Sequence, residues 1–333
     1  MKNSLPYLTL VGLLVWCPLA QAQPESPSAT SPAIADADRA SEGDALIRAA
    51  VLALHQHDSI AANVRQQLNL FGNRLVGAGV YYQEGRGAEM LVRFELRTHI
   101  AGRECSLQQV ADGRYLWTDE QFDHERSIRK VDLRRVQKAL SAQETATGSA
   151  ARLPLAVGGV PRLIERLAMN FHFGPPNRIQ LGDLPAYALE GTWRPDRLGS
   201  LTAGPGSSDD SKADAKEDAA AKSPNLASLP HHVPHEVLLV LGQEDLFPHV
   251  VEYRRLMGTP PGAGGRETLV RLELYQVRTG EPIDNRQFLY RSSETNIADH
   301  TDQFLRQNGL VDARLNALDR ARRPDAAGDA TRR

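Results

Sequence analysis

Val110-Ala111-Asp112-Gly113-Arg114-Tyr115-Leu116-Trp117 is the stretch whose reading decides the fold. Asp112-Gly113 stands between two apolar runs, 106–110 and 115–117, and Asp-Gly in that setting specifies a tight hairpin turn with positive φ. Two antiparallel strands therefore meet at Asp112. Upstream, Met90-Leu91-Val92-Arg93-Phe94-Glu95-Leu96-Arg97 places Met90, Val92, Phe94 and Leu96 on one face and Arg93, Glu95 and Arg97 on the other, the alternation of a half-buried strand. Gly79-Val80-Tyr81-Tyr82-Gln83 and the turn Glu84-Gly85-Arg86-Gly87 add another strand, and 127–131 adds one more before Asp132. Residues 77–131 thus predict an antiparallel meander with one apolar face.

The chain has 333 residues and a net charge of −2, enough material for one large or two small domains and too little positive charge for a nucleic-acid surface. Its short arginine clusters, Arg134-Arg135, Arg254-Arg255 and 320–323, read as solvated faces. Residues 1–22 have the parts of a secretory signal peptide: Lys2, an apolar run at 5–15, and Ala20-Gln21-Ala22 before the cleavage point. Trp16 ahead of Cys17 is too bulky for lipoprotein processing, so cleavage after Ala22 is expected. That leaves Cys105 as a lone cysteine, which excludes an intramolecular disulfide and reads as a small buried hydrophobe.

Residues 23–43 are Pro, Ser, Ala and Asp with little to bury, and read as a disordered tether. Residues 44–55 predict a first helix with Leu46, Ala49, Ala50, Leu52 and Ala53 on one face. The span 59–71 fits both a helical and an alternating pattern. Asp132 caps a short helix carrying Leu133, Val136 and Leu140. Pro161 opens another, with Val160, Leu163, Ile164, Leu167 and Phe171 as its stripe and Gly174-Pro175-Pro176 as its stop. A strand is expected at 187–193, ended by Pro195, and then a disordered insertion at 202–228. Three strands follow, 236–242, 248–257 and 268–277, the first apolar on both faces and so covered on both sides. A last short strand is expected at 288–290, a helical turn at 301–307, and a charged tail at 311–333.

Candidate chemistry is sparse. His231-His232-Val233-Pro234-His235-Glu236 has metal-ligand residue types, but Pro234 breaks the helix that would align His231 with His235, so a solvated loop is expected and no metal is assigned. His55-Gln56-His57-Asp58 reads as a helix end, and Asp209-Asp210 lies in the insertion. There is no G-x-S-x-G elbow, no P-loop and no dinucleotide fingerprint. No cofactor and no enzymatic activity are expected.

The glycine-marked strand, the strand with Arg93 and Phe94 at its middle, and the turn through Asp112-Gly113 into Leu116-Trp117 together resemble the LolA family of periplasmic lipoprotein carriers and, more loosely, LolB. Asp112, Gly113, Leu116 and Trp117 are the matching turn positions. The family's Arg-Pro pair before the aromatic of its second barrel strand is absent, since Phe94 directly follows Arg93, and no lid-bracing role is carried over to Arg93. The resemblance settles 59–71 as a strand. It implies an α+β fold spanning 44–310, an incomplete, strongly curved antiparallel β-barrel covered by helices. It further implies non-covalent binding of lipid or lipoprotein acyl chains in the periplasm by a monomer. Val80, Tyr82, Met90, Val92, Phe94, Leu107 and Trp117 are the expected cavity lining. The alternative is a cell-envelope interaction or scaffold protein with the same fold and a filled core, whose partner would be another envelope protein.

Overall fold

The computed structural model describes residues 34–70, 73–147, 153–202, 226, 229–258, 264–292 and 297–310. The expected signal peptide, most of the insertion and the charged tail lie outside the described residues. So does the first part of the expected tether; from Ile34 onward that stretch is already helical, as α1 runs Ile34–Gln56.

Twelve antiparallel strands form one sheet that does not close. Six of them make a sequential meander: β1 (Ser59–Leu70), β2 (Asn73–Glu84), β3 (Leu91–Ile100), β4 (Arg103–Ala111), β5 (Tyr115–Phe122) and β6 (Glu125–Asp132). The chain then forms α2 (Leu133–Thr147) and α3 (Gly159–Asn170), followed by β7 (Phe171–Phe173), β8 (Asn177–Leu181) and β9 (Leu184–Trp193). After α4 (Pro195–Thr202) come β10 (Glu236–Gly242), β11 (Pro248–Leu256) and β12 (Arg266–Thr279). The last strand returns to pair with the first, so the order is β6-β5-β4-β3-β2-β1-β12-β11-β10-β9-β7, with β8 paired to β9 off this path. The final helix, α5, is Thr301–Gln307.

Local chemistry explains most of these boundaries. Gly113 has φ 86° in the β4–β5 turn, where a side chain would be strained. The Asp112 carboxylate accepts from the backbone N–H of Arg114 (2.9 Å) and Tyr115 (2.6 Å), which makes the turn an Asx turn. Asp132 caps α2 by accepting from Arg134 N (2.9 Å) and Arg135 N (3.3 Å). Pro161 lies in the first turn of α3, where its missing N–H costs nothing.

Two further expectations need correction, while the end of the 187–193 strand before Pro195 agrees with the structure. Phe171 leaves the α3 stripe for β7, where it pairs with Trp193 and lies against its ring at 4.3 Å, because Asn170 is the last helical residue. Residues 288–290 are not a strand: Asn285–Phe288 is a 3-10 turn, capped by Asp284 accepting from Arg286 N, and Phe288 is buried. Pro195 both ends β9 and begins α4. β8 had no signal, since its residues are exposed or half-buried and show no alternation.

The core is one large cluster. Ile47, Ala50 and Leu54 of α1 and Val160, Ile164 and Leu167 of α3 join Phe94, Leu96, Leu239 and Leu272 of the sheet. α3 docks on β2 through Tyr81, whose buried hydroxyl accepts from Val160 N (3.0 Å) and donates to Gln83 Oε1 (2.6 Å). Burial pushes the Tyr81 phenol far above its usual range, so it stays a neutral donor. Asp44, midway along α1, ties that helix to the β7 and β9 end of the sheet: it accepts from Phe173 N (2.9 Å) and pairs with His172 (2.8 Å) and Arg194 (3.2 Å). A second small cluster of Ala186, Val240 and Val250, with Leu181 of β8 packed against it, covers the opposite face of β10, as its two-sided apolar pattern requires.

Candidate functional site

Register arranges the inner face of the meander in rows across the strands. One row is Ala62, Tyr81, Phe94, Gln109, Thr118 and Arg129; the next is Leu274, Val64, Gly79, Leu96, Leu107 and Glu120. The third is Leu272, Gln66, Gly77, Thr98 and Cys105. A Cβ at Gly79 would collide with the Glu95 carbonyl, so only glycine lets β2 and β3 approach here.

The expected lining residues divide between the two faces. Val92, Phe94 and Leu107 lie on the inner face, and Met90, just ahead of β3, is buried with them in the main cluster. Phe94 is 2% exposed. Val80 and Tyr82 do not share that face: they pair with Glu95 and Arg93, in the polar phase of β3, and Tyr81 takes the inward position. Trp117 also lies outside, opposite Val110 and Lys130, while its neighbour Leu116 points into the core. Period two makes each of these a shift of one residue, which sends a side chain to the other face.

The outer face is occupied by the segment after β12. Ser59 Oγ donates to Glu281 O (2.6 Å), and Arg93 Nη1 donates to Gln287 O (2.8 Å). Arg93, also paired with Glu95, therefore holds this C-terminal strap. Tyr290 stacks on Trp117 at 5.2 Å and 19°, and its hydroxyl donates to Asp119 Oδ2 (3.0 Å). Burial and the Asp119 carboxylate push the Tyr290 phenol up to about 12. Trp117 Nε1 donates to Asp112 Oδ2 (2.8 Å), so the turn motif of Asp112, Gly113, Leu116 and Trp117 is a structural unit, two residues for the turn, one for the core and one for the strap. The strap ends at β6, where Lys130 bridges to Asp299 and Asp132 N donates to Thr301 Oγ1 (2.8 Å).

Two polar groups on the inner face were not anticipated. Glu120 is buried against Arg129 at 2.5 Å; burial raises its carboxyl above the usual range although Arg129 pulls the other way. Gln66 lies between Leu272 and Gly77 with neither amide atom partnered. A polar residue in the apolar phase of a strand was the available signal for both. Beside Gln66, a cleft of about 10 Å³ is bounded by Leu68, Leu75, Gly77, Leu96, Thr98 and Ile100.

The histidine segment is only partly a solvated loop. His231 and His232 are exposed, but His235 is buried and its Nδ1 accepts from Leu256 N (3.2 Å), with burial and then Arg255 lowering its pKa. Glu236 is buried and pairs with Arg266 (2.6 Å). Among the described residues no group of His, Cys, Asp and Glu could hold a metal ion, and no helix is long and apolar enough to cross a membrane. Cys105 is buried in β4, and burial holds its thiol above the usual range. On the outer face of β11 and β12, Glu252 accepts from Arg254 Nε (2.7 Å), Arg271 Nη1 (2.5 Å) and Thr268 Oγ1 (2.9 Å). Burial alone would raise this carboxyl, but those donors outweigh it and hold it below the usual range.

The architecture is that of a large, unclosed antiparallel sheet covered by a few helices. No family model matches the sequence, and no curated protein matches it either. Among solved structures the chain is similar to a DUF1329 family protein from Desulfovibrio piger, at 9% identity over 76% of this chain and 98% of that one, with a TM-score of 0.31. It is similar to MucB in complex with MucA(peri) at 14% identity and a TM-score of 0.33, covering 77% of this chain but only 60% of that one. A Vibrio parahaemolyticus domain assigned to outer membrane lipoprotein sorting is similar at 7% identity over 75% of this chain and 97% of that one, with a TM-score of 0.23. Likenesses this distant give no residue a role.

Proposed function

We propose that this protein binds lipid or lipoprotein acyl chains non-covalently, as a LolA-like carrier of the periplasm, and performs no chemistry on them. The observation that carries the reading is the apolar inner face of an unclosed sheet. It continues past the helix-packed region around Phe94 into a cleft bounded by Leu68, Leu75, Leu96 and Ile100. An acyl chain of about fourteen carbons gains on the order of 10 kcal/mol gross from burial, at roughly 0.8 kcal/mol per methylene, before ordering costs. At about 10 Å³ the cleft is far smaller than such a chain, so binding requires it to open well beyond its present volume.

One observation favours the scaffold reading instead: Met90, Val92, Phe94 and Leu107 are buried within the same cluster as α1 and α3, so the region first expected to be a cavity is filled. The carrier reading thus places the chain toward Ile100 and away from Phe94. Displacement of a fluorescent fatty-acid probe separates the two. Wild type should bind the probe, and Ile100→Glu, a charge at a half-buried strand end, should weaken binding about tenfold or more while the protein stays folded. Absence of probe binding by folded wild type would leave the scaffold.

A further inference from the structure

Gln66 sits near the middle of the sheet, 1% exposed, and neither its amide nitrogen nor its amide oxygen has a hydrogen-bond partner. Buried polar groups are nearly always paired, and a side chain that leaves both a donor and an acceptor dry calls for an explanation. Packing does not supply one. Its row neighbour Leu272 and its strand neighbours Val64 and Leu68 are apolar, and a leucine at 66 would continue them. On the other side Gly77 offers no side chain to pair with and Leu96 packs closely over it, while the amide borders the cleft that Leu68, Leu75, Leu96 and Ile100 make apolar. The one hydroxyl there, Thr98 Oγ1, already donates to Val76 O at 2.8 Å.

We propose that this cleft binds the amide end of an N-acyl chain, with Gln66 Nε2 donating to the ligand's carbonyl, Gln66 Oε1 accepting its N–H, and the hydrocarbon lying along Leu68, Leu75 and Ile100. The proposal rests on the acyl-chain reading above and names the head group. The match follows from counting donors and acceptors. A secondary amide offers one of each, the complement of a carboxamide, whereas an ester or a carboxylate offers acceptors alone and leaves Oε1 unpaired. A carboxylate would also bring charge into a cleft bounded by no cationic side chain. A peptide fits less well. It would carry repeated N–H and C=O groups past an apolar wall, and β1 has no free edge to receive them, being paired to β2 and β12 on its two sides. As it stands the cleft has room for about one water, so the ligand enters by displacing Leu75 and Ile100, both half-buried and close to strand ends.

The test uses the whole chain and three probes: the fluorescent fatty acid, N-methyldodecanamide and its ester counterpart methyl dodecanoate. Wild type should be displaced by the amide about tenfold more effectively than by the ester, the difference of one to two net hydrogen bonds. Gln66→Leu, or Gln66→Met if the leucine variant folds poorly, should still bind the fluorescent probe but lose the preference for the amide. Removing the unpaired amide should also raise the melting temperature of the ligand-free protein. Equal displacement by amide and ester in wild type, or a preference that survives in Gln66→Leu, would overturn the head-group assignment while leaving acyl binding intact. No binding of the fluorescent probe together with no binding of N-methyldodecanamide itself, followed directly by calorimetry, would overturn both.

Discussion

The same six strands, β1–β6, present two covered faces, and the covers differ in kind. Inside, Phe94, Leu96 and Leu107 join helix side chains in a cluster held by apolar area, in which the described polar contacts are few and buried. Outside, Arg93, Trp117 and Asp119 meet the C-terminal strap through a carbonyl, a stacked ring and a phenol hydroxyl. The inner cover supplies most of the stabilisation, since each fully buried side chain there is worth roughly 1.5–3 kcal/mol against solvent. The outer cover supplies position, because half-exposed rings and ion pairs contribute less but hold a particular segment in a particular register.

Substitutions on neighbouring strands should expose the contrast most sharply. Phe94→Ala should cost about 3–5 kcal/mol in chemical denaturation, whereas Tyr82→Ala, on the outer face beside it, should cost about 1 kcal/mol. Equal losses would mean that the two faces are packed alike, against the assignment made from register.

An intermediate effect is expected where the two faces share one turn. Asp112→Ala removes the acceptor for Arg114 N, Tyr115 N and Trp117 Nε1, and should cost about 1–2 kcal/mol. Because the indole would lose its anchor against Tyr290, the fluorescence of Trp117 should shift to the red along with the stability loss. A destabilised protein with unchanged Trp117 emission would show that the turn and the strap are independent.

The smallest effect belongs to the ion pairs outside. Glu252 has a depressed pKa in the folded protein, so its contribution is complete above the ordinary glutamate range and is lost as the pH falls through the lowered folded value. Glu252→Gln should therefore cost on the order of 1 kcal/mol at pH 7 and flatten the acid limb of the stability profile. If the acid limb keeps its slope in the variant, other carboxylates govern it.

Much of this architecture could be read locally. The alternation in 90–97, the Asp112-Gly113 turn and the Asp132 cap needed no tertiary information, and the expected boundaries of β10 and α5 agree with the structure. Where reading failed, a particular competitor won. Tyr81 and Tyr82 are adjacent and alike, so strand phase was undecided by residue type; Gly77 and Gly79, in phase with Tyr81, were the cue. Trp117 looked like core because it is large and apolar, yet its indole N–H is drawn to Asp112. His172, between Phe171 and Phe173, gives β7 only three residues, too few for alternation to stand out from the end of α3.

By itself the amino-acid sequence determined the strands of the meander, the hairpin turn, the caps and the helix stripes, because these depend on neighbours within a few positions. Only the tertiary structure decided that β12 returns to β1, that the segment after β12 crosses the outer face, and that Gln66 is left without a partner beside Gly77. Each of these depends on which distant residues arrive at a strand edge or face. Periodicity along one strand is silent about what will lie against it.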